Sequence, residues 1–144
     1  MIELSKRIAL IQAHDFFRSL NEQQNTELAK LAFEKSFAPE KLIVIQGEAV
    51  DAVYLIAEGE IEVYVKDKLK VLLHQGGDIG LSQIGFYSQS GQRTATLKAI
   101  TEVELLGWGL EVLQKFLEDY PTFHGGMRET TEKMLRLREL QRDD

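Results

Sequence analysis

Between Lys41 and Gly107 the chain leaves helical periodicity for short β-branched and alternating apolar runs, each closed by turn residues. Leu42-Ile43-Val44-Ile45, Val53-Tyr54-Leu55-Ile56, Ile61/Val63/Val65 and Leu69/Val71/Leu73 are strand candidates of about five residues each. Thr94 to Ile100 and Glu102 to Leu106 add two more. Gly47-Glu48, Glu58-Gly59, Lys66-Asp67-Lys68 and Gly76-Gly77-Asp78 are the turns between them. Short strands at near-regular spacing suggest an antiparallel sandwich or roll rather than a parallel sheet. The switch to alternation at Lys41 and back to helical period at Leu110 frames an expected eight-stranded antiparallel roll.

Helical pattern lies on both sides. From Leu4 to about Phe37, Leu28, Leu31 and Ala32 recur at three- and four-residue steps, with Asn21 as N-cap and Glu22 in the first turn. Phe16 and Phe17 sit between two helical stretches, placed to anchor them on the sheet. A helix returns at Leu110 and stops at Pro121, and Met127, Met134 and Leu137 mark an apolar stripe on a last helix. The expectation is one mainly β domain over 1–144, a jelly-roll-like antiparallel β-roll with helices at both termini. N-terminal helices take 1–40, the roll 41–107 and C-terminal helices 108–144.

Charge narrows the partners. Lys plus Arg number 17 against 23 Asp plus Glu, a net charge of -6, so a phosphate polymer such as DNA or RNA is repelled overall. No cysteine is present, which removes disulfides, thiolate catalysis and cysteine-ligated zinc. The apolar run Ile8-Ala9-Leu10-Ile11 is too short for a membrane span and lacks a cleavage site after it, so the expected location is the cytoplasm.

A single buried anion site remains compatible with that charge. Arg93 closes a loop that opens at Gly76-Gly77-Asp78, and its planar, permanently charged fork suits two phosphate oxygens. Gly80, Ser82, Gly85 and Gly91 are small enough to let backbone N–H groups approach an anion. Outside such a pocket Arg93 would simply meet a surface carboxylate, and Thr94 would be an ordinary strand residue.

The order of elements joins three sequence pieces: Gln46-Gly47-Glu48, then Val53 through Val63 with its Glu58-Gly59 turn, then Gly77-Asp78 followed by Arg93-Thr94-Ala95-Thr96. Together they resemble the cyclic nucleotide-binding domain of catabolite-activator-type regulators, kinase regulatory subunits and gated channels, over roughly Phe16 to Arg138. The resemblance implies a cassette reading aromatic-Gly-Glu, then Leu-Ala-Leu, then Arg-(Ala/Thr)-Ala-Thr, in which the Arg pairs with the cyclic phosphate and the Glu accepts the ribose 2′-hydroxyl. Aligned by Arg93, Leu81-Ser82-Gln83 falls on aromatic-Gly-Glu and Ile84-Gly85-Phe86 on Leu-Ala-Leu. The implied ligand-binding residues are therefore Ser82, Gln83, Ile84, Gly85, Arg93 and Thr94, and the ligand is cAMP, cGMP or a related phosphate. Gln83 keeps an acceptor without its charge, and Ser82 replaces a glycine. The alternative is a family member that has lost nucleotide binding and serves as a protein-interaction scaffold.

Other clusters are weaker. His14, His74 and His124 are far apart in sequence, without metal-ligand spacing. Glu58, Glu60 and Glu62 cluster near one turn, and Glu60 and Glu62 alternate with Ile61 and Val63, the pattern of a solvated sheet face. No nucleophile elbow or P-loop lysine is present, so neither an enzyme nor a cofactor is expected. No helix-turn-helix is expected after the last helix, and Met127, Met134 and Leu137 are expected either to pack on the domain's own core or to pair two copies into a homodimer.

Overall fold

Helix boundaries at the N-terminal end are set by local polar groups. The computed structural model describes residues 1–17, 19–80 and 91–119. Helix α1 spans Leu4–Ala13, a 3-10 turn follows at Asp15–Phe17, and α2 spans Glu22–Leu31. Asn21 caps α2 reciprocally: its side chain accepts from the Gln24 N–H at 2.8 Å, and the Gln24 side chain accepts from the Asn21 N–H at 2.9 Å. Such a box satisfies two otherwise unpartnered donors and stabilises a helix start by about 1 kcal/mol.

The helical expectation through Phe37 fails at Ala32, which leaves α2 with extended dihedrals. Residues Phe33–Phe37 form strand β1, paired along its whole length with Val103–Gly107. The boundary between helices and roll thus lies near residue 32 rather than 40. The cause is a partner about seventy residues away, which no local period reveals. Leu31, expected on the core stripe, is exposed, whereas Leu28 is fully buried.

The remaining strands are β2 Leu42–Val44, β3 Ala52–Glu58, β4 Ile61–Val65, β5 Lys68–Leu73, β6 Asp78–Ile79, β7 Thr96–Ala99 and β8 Val103–Gly109. Helix α3, Leu110–Asp119, follows directly. The eight described strands make two four-stranded sheets, ordered β1-β8-β3-β6 and β2-β7-β4-β5, with every pairing antiparallel. This is the expected β-roll, with N-terminal helices before it and a C-terminal helix after it.

Strands β3 and β8 form the wall between two cores. Alternate side chains Val53, Leu55, Leu106 and Trp108 join Ile11, Phe17, Leu28 and Phe116 beneath the helices. The intervening Tyr54, Ile56, Val103 and Leu105 join Ile61, Val63, Ile79 and Leu97 between the sheets. A strand buried on both faces needs the nearly continuous apolar sequence that β3 carries. Phe17 does anchor the helices, lying 5.8 Å ring to ring from Trp108. The Trp108 indole N–H donates to the Leu28 carbonyl at 2.9 Å, satisfying a last-turn acceptor of α2. Arg7 does likewise for the Ala29 and Ala32 carbonyls, at 3.0 and 3.1 Å, and also binds Glu34. Gly107 is required where β1 meets β8: a Cβ there would stand 2.7 Å from both the Phe33 and Tyr54 rings, which are packed edge to face.

Candidate functional site around Arg93

The backbone on either side of Arg93 is held by the segment that follows β2. The Gly47 N–H donates to the Arg93 carbonyl at 2.9 Å, and the Arg93 N–H donates to the Glu48 carbonyl at 2.7 Å. Val50 N–H binds the Gly91 carbonyl at 3.0 Å, and Ala49 bridges Gln92. Three residues further on, the Thr96 hydroxyl accepts from the Gln46 N–H at 2.8 Å. These contacts explain why Gln46-Gly47-Glu48 and Arg93-Thr94-Ala95-Thr96 occur as a set: each fixes the other's backbone. Gly47 and Gly59 lie in turns at φ +95° and +105°, as their sequence context suggested.

The Arg93 side chain is only 3% exposed. One terminal nitrogen, Nη2, donates to the Ala52 carbonyl at 2.9 Å, and Asp51 Oδ1 lies 3.9 Å from the same atom. Burial lowers the guanidinium's pKa, opposed by the charges of Tyr54, Asp51 and Glu48, and an arginine stays protonated through such a shift. Burial together with Asp51 raises the Tyr54 phenol, with Arg93 pulling the other way. Arg93, Tyr54, Asp51, Glu48 and Lys35 share a cavity of about 270 Å³. The result is a buried, permanent cation held on a sheet wall, an arrangement that can pair with an oxyanion.

The other end of the loop is also tied down. Asp78, 6% exposed, accepts from His14 Nε2 at 2.9 Å. His14 Nδ1 accepts the Phe16 N–H at 3.1 Å, which assigns the ring proton to Nε2 and makes the ring a donor to Asp78. This contact joins the end of α1 to the first residue of β6. Two residues on, Gly80 has φ +103°, and a Cβ there would stand 2.9 Å from a Val53 methyl, so glycine is needed to pass β3.

Of the six expected ligand residues, Arg93 and Thr94 are described. Arg93 is buried and Thr94 next to it is half-buried. Ser82, Gln83, Ile84 and Gly85 lie outside the described residues, as do Met127, Met134, Leu137 and His124. Sequence reasoning missed Asp51, the Ala52 carbonyl and the His14–Asp78 contact. Nothing in the local pattern marks them, because each depends on a residue about forty to sixty positions away.

The family model described as Cyclic nucleotide-binding domain matches residues 34–120. The chain belongs to that family. Its relatives include cGMP-dependent protein kinase 2 of Rattus norvegicus, 27% identical over 115 residues, covering 74% of this chain and 14% of the kinase. The chain thus spans about one seventh of the curated kinase it matches. In fold it is similar to the regulatory domain of Toxoplasma gondii PKA crystallised with cAMP, at a TM-score of 0.69 and 15% identity, over 83% of this chain and 46% of that one. It is also similar to the N-terminal domain of a transcriptional regulator from Streptomyces coelicolor A3(2), at 0.67 and 23% identity, over 94% of each chain. The family is a ligand-binding regulatory module and not itself a catalyst. Among the described residues no helix is long and apolar enough to cross a membrane.

Proposed function

We propose that this chain is a small cytoplasmic sensor module that binds cAMP, cGMP or a related phosphate ligand at the loop ending in Arg93. The observation that carries the reading is the burial of Arg93 at a cavity wall, with its backbone fixed from both sides. Its guanidinium takes the phosphate, with the Thr94 hydroxyl beside it. Gln83 accepts from the ribose 2′-hydroxyl, while Ser82, Ile84 and Gly85 present backbone N–H groups to the anion. Occupancy then shifts the C-terminal helix between two positions, to the extent that ligand contacts differ between them. Output passes to a protein partner or, through Met127, Met134 and Leu137, to a second copy.

Calorimetric titration with cAMP, cGMP and 5′-AMP tests the reading, the cyclic ligands being expected to bind and 5′-AMP to bind more weakly. The replacement of the family's Gly-Glu by Ser82-Gln83 favours the scaffold as the second reading. If the parent binds nothing at millimolar ligand, and the Ser82→Gly, Gln83→Glu double variant also binds nothing, the scaffold reading takes its place.

A further inference from the structure

Strand β5 has the sequence Lys-Leu-Lys-Val-Leu-Leu, lies at one edge of its sheet and exposes five of its six residues. Leu69, Val71 and Leu72 are 53%, 38% and 42% exposed. The other three sheet edges among the described strands are blunted. β2 has three residues and β6 two, and β1 places Glu34, Lys35 and Ser36 between its phenylalanines. A long apolar edge strand is a template for pairing with another chain, and proteins ordinarily shorten it, charge it or cover it.

Its charge says what it would pair with. Lys66, Lys68 and Lys70 are all exposed on a chain whose net charge is -6. A second copy approaching this edge would bring its own lysines against them, an unfavourable arrangement for directly facing strands. A strand with carboxylates between apolar residues would instead give the lysines counter-charges and the leucines apolar neighbours. The edge is also held rigid. Lys66 and Asp67, at φ +50° and +68°, form the tight turn that sets the β4–β5 hairpin, and β4 lines the whole inner side of β5. Register places Leu72 opposite Glu62 and Leu69 opposite Tyr64, on the face turned away from the buried Val63. Glu62, across the ladder from Leu72, already hydrogen-bonds Tyr64 on its own strand, while Lys98 opposite it on β7 bonds Glu40 at 3.0 Å.

We propose that β5 is a docking edge that takes an extended acidic segment of a protein partner, alternating carboxylate and apolar residues, as a fifth strand on β2-β7-β4-β5. Main-chain hydrogen bonds supply attachment, and the Lys/Leu pattern supplies selection. No residue of β5 lines the Arg93 cavity, so the surface stands or falls independently of nucleotide binding.

The test uses the full chain, labelled for amide NMR, and a short capped peptide alternating Asp and Val. Saturable binding in the roughly millimolar range is expected, with shifts confined to residues 61–73 and weakening at high salt. Lys68→Glu with Lys70→Glu, and separately Leu69→Ser with Leu72→Ser, should each weaken it about tenfold while leaving the melting temperature unchanged. Any of several results overturns the proposal. The peptide with Lys in place of Asp, or one of the same composition with its aspartates grouped at one end, binds equally well. Shifts fall outside the hairpin, or β5 signals change on dilution without peptide, which marks self-pairing. Vesicles containing about a third phosphatidylserine perturb β5 while the peptide does not, which marks a membrane surface.

Discussion

Replacing Arg93 with methionine separates the binding role of this residue from its structural one. In the protein without ligand, the losses include the Nη2 bond to the Ala52 carbonyl, a buried contact whose removal costs about 1–3 kcal/mol. Asp51, 72% exposed and 3.9 Å away, is screened by water and contributes little. Against these losses stands the relief of no longer burying a charge, which methionine of similar volume exploits. Together these contacts account for a net change in stability of about 2 kcal/mol or less. The ligand complex loses more. A buried phosphate left without its charged partner costs about 2–5 kcal/mol, or roughly thirty- to several-thousandfold in affinity. Calorimetric titration with cAMP and thermal unfolding, run on parent and Arg93→Met, measure the two effects side by side. A melting point near the parent's with affinity largely gone is the expected outcome. An affinity left within a factor of about three refutes the site, and the ligand then contacts another part of the roll.

Gln83→Glu restores a charged acceptor for the 2′-hydroxyl and should tighten cAMP binding about tenfold, with a 2′-deoxy ligand penalised more by the variant than by the parent. Equal penalties in the two proteins would place residue 83 away from the ribose. Trp108→Phe leaves the Leu28 carbonyl without its indole donor and should lower stability by about 1–3 kcal/mol in chemical denaturation, a loss below about 0.5 kcal/mol contradicting the bond. Partial burial opposes ionisation of Glu34, but the Ile2 backbone N–H and the Arg7 guanidinium outweigh it and hold the carboxyl below the ordinary 4.5. The stabilisation from that contact is present above this value and is lost as the pH falls through the lower, native one. An NMR titration should give a Glu34 midpoint under 4.5 that rises in Arg7→Met.

The readable parts of the fold were those encoded within a few residues. Asn21 announces the start of α2 as its N-cap, with Glu22 in the first turn. The alternation Ile61, Val63, Val65 gives β4 and the faces of its side chains. Strand β1 was unreadable for a physical reason: Phe33-Glu34-Lys35-Ser36-Phe37 continues an apolar spacing compatible with α2, and only its ladder with β8 makes it extended. Arg93 stood out as a candidate because its neighbours form a recognisable run. The groups that hold it, Asp51 and the Ala52 carbonyl, carry no pattern of their own. The same holds for His14, which looked isolated and turns out to bind Asp78 across the domain.

The position of β8 in the middle of its sheet bears on how this chain folds. Its two neighbours, β1 and β3, have no ladder to each other, and each pairs with β8. The sheet under the helices therefore cannot close until the segment reaching Gly109 is available, and the helix pair α1–α2 lacks its Trp108 contact until then. During synthesis from the N-terminus, most of the chain must be made before its first strand finds a partner. The nearer pairing of β4 with β5, joined by a two-residue turn, is free to form early. Long-range closure of this kind slows folding relative to a helical domain of the same size. Substitutions in β8 should consequently reduce the yield of folded protein more than equally destabilising changes in the β4–β5 hairpin, because they act on the step that the sheet under the helices awaits.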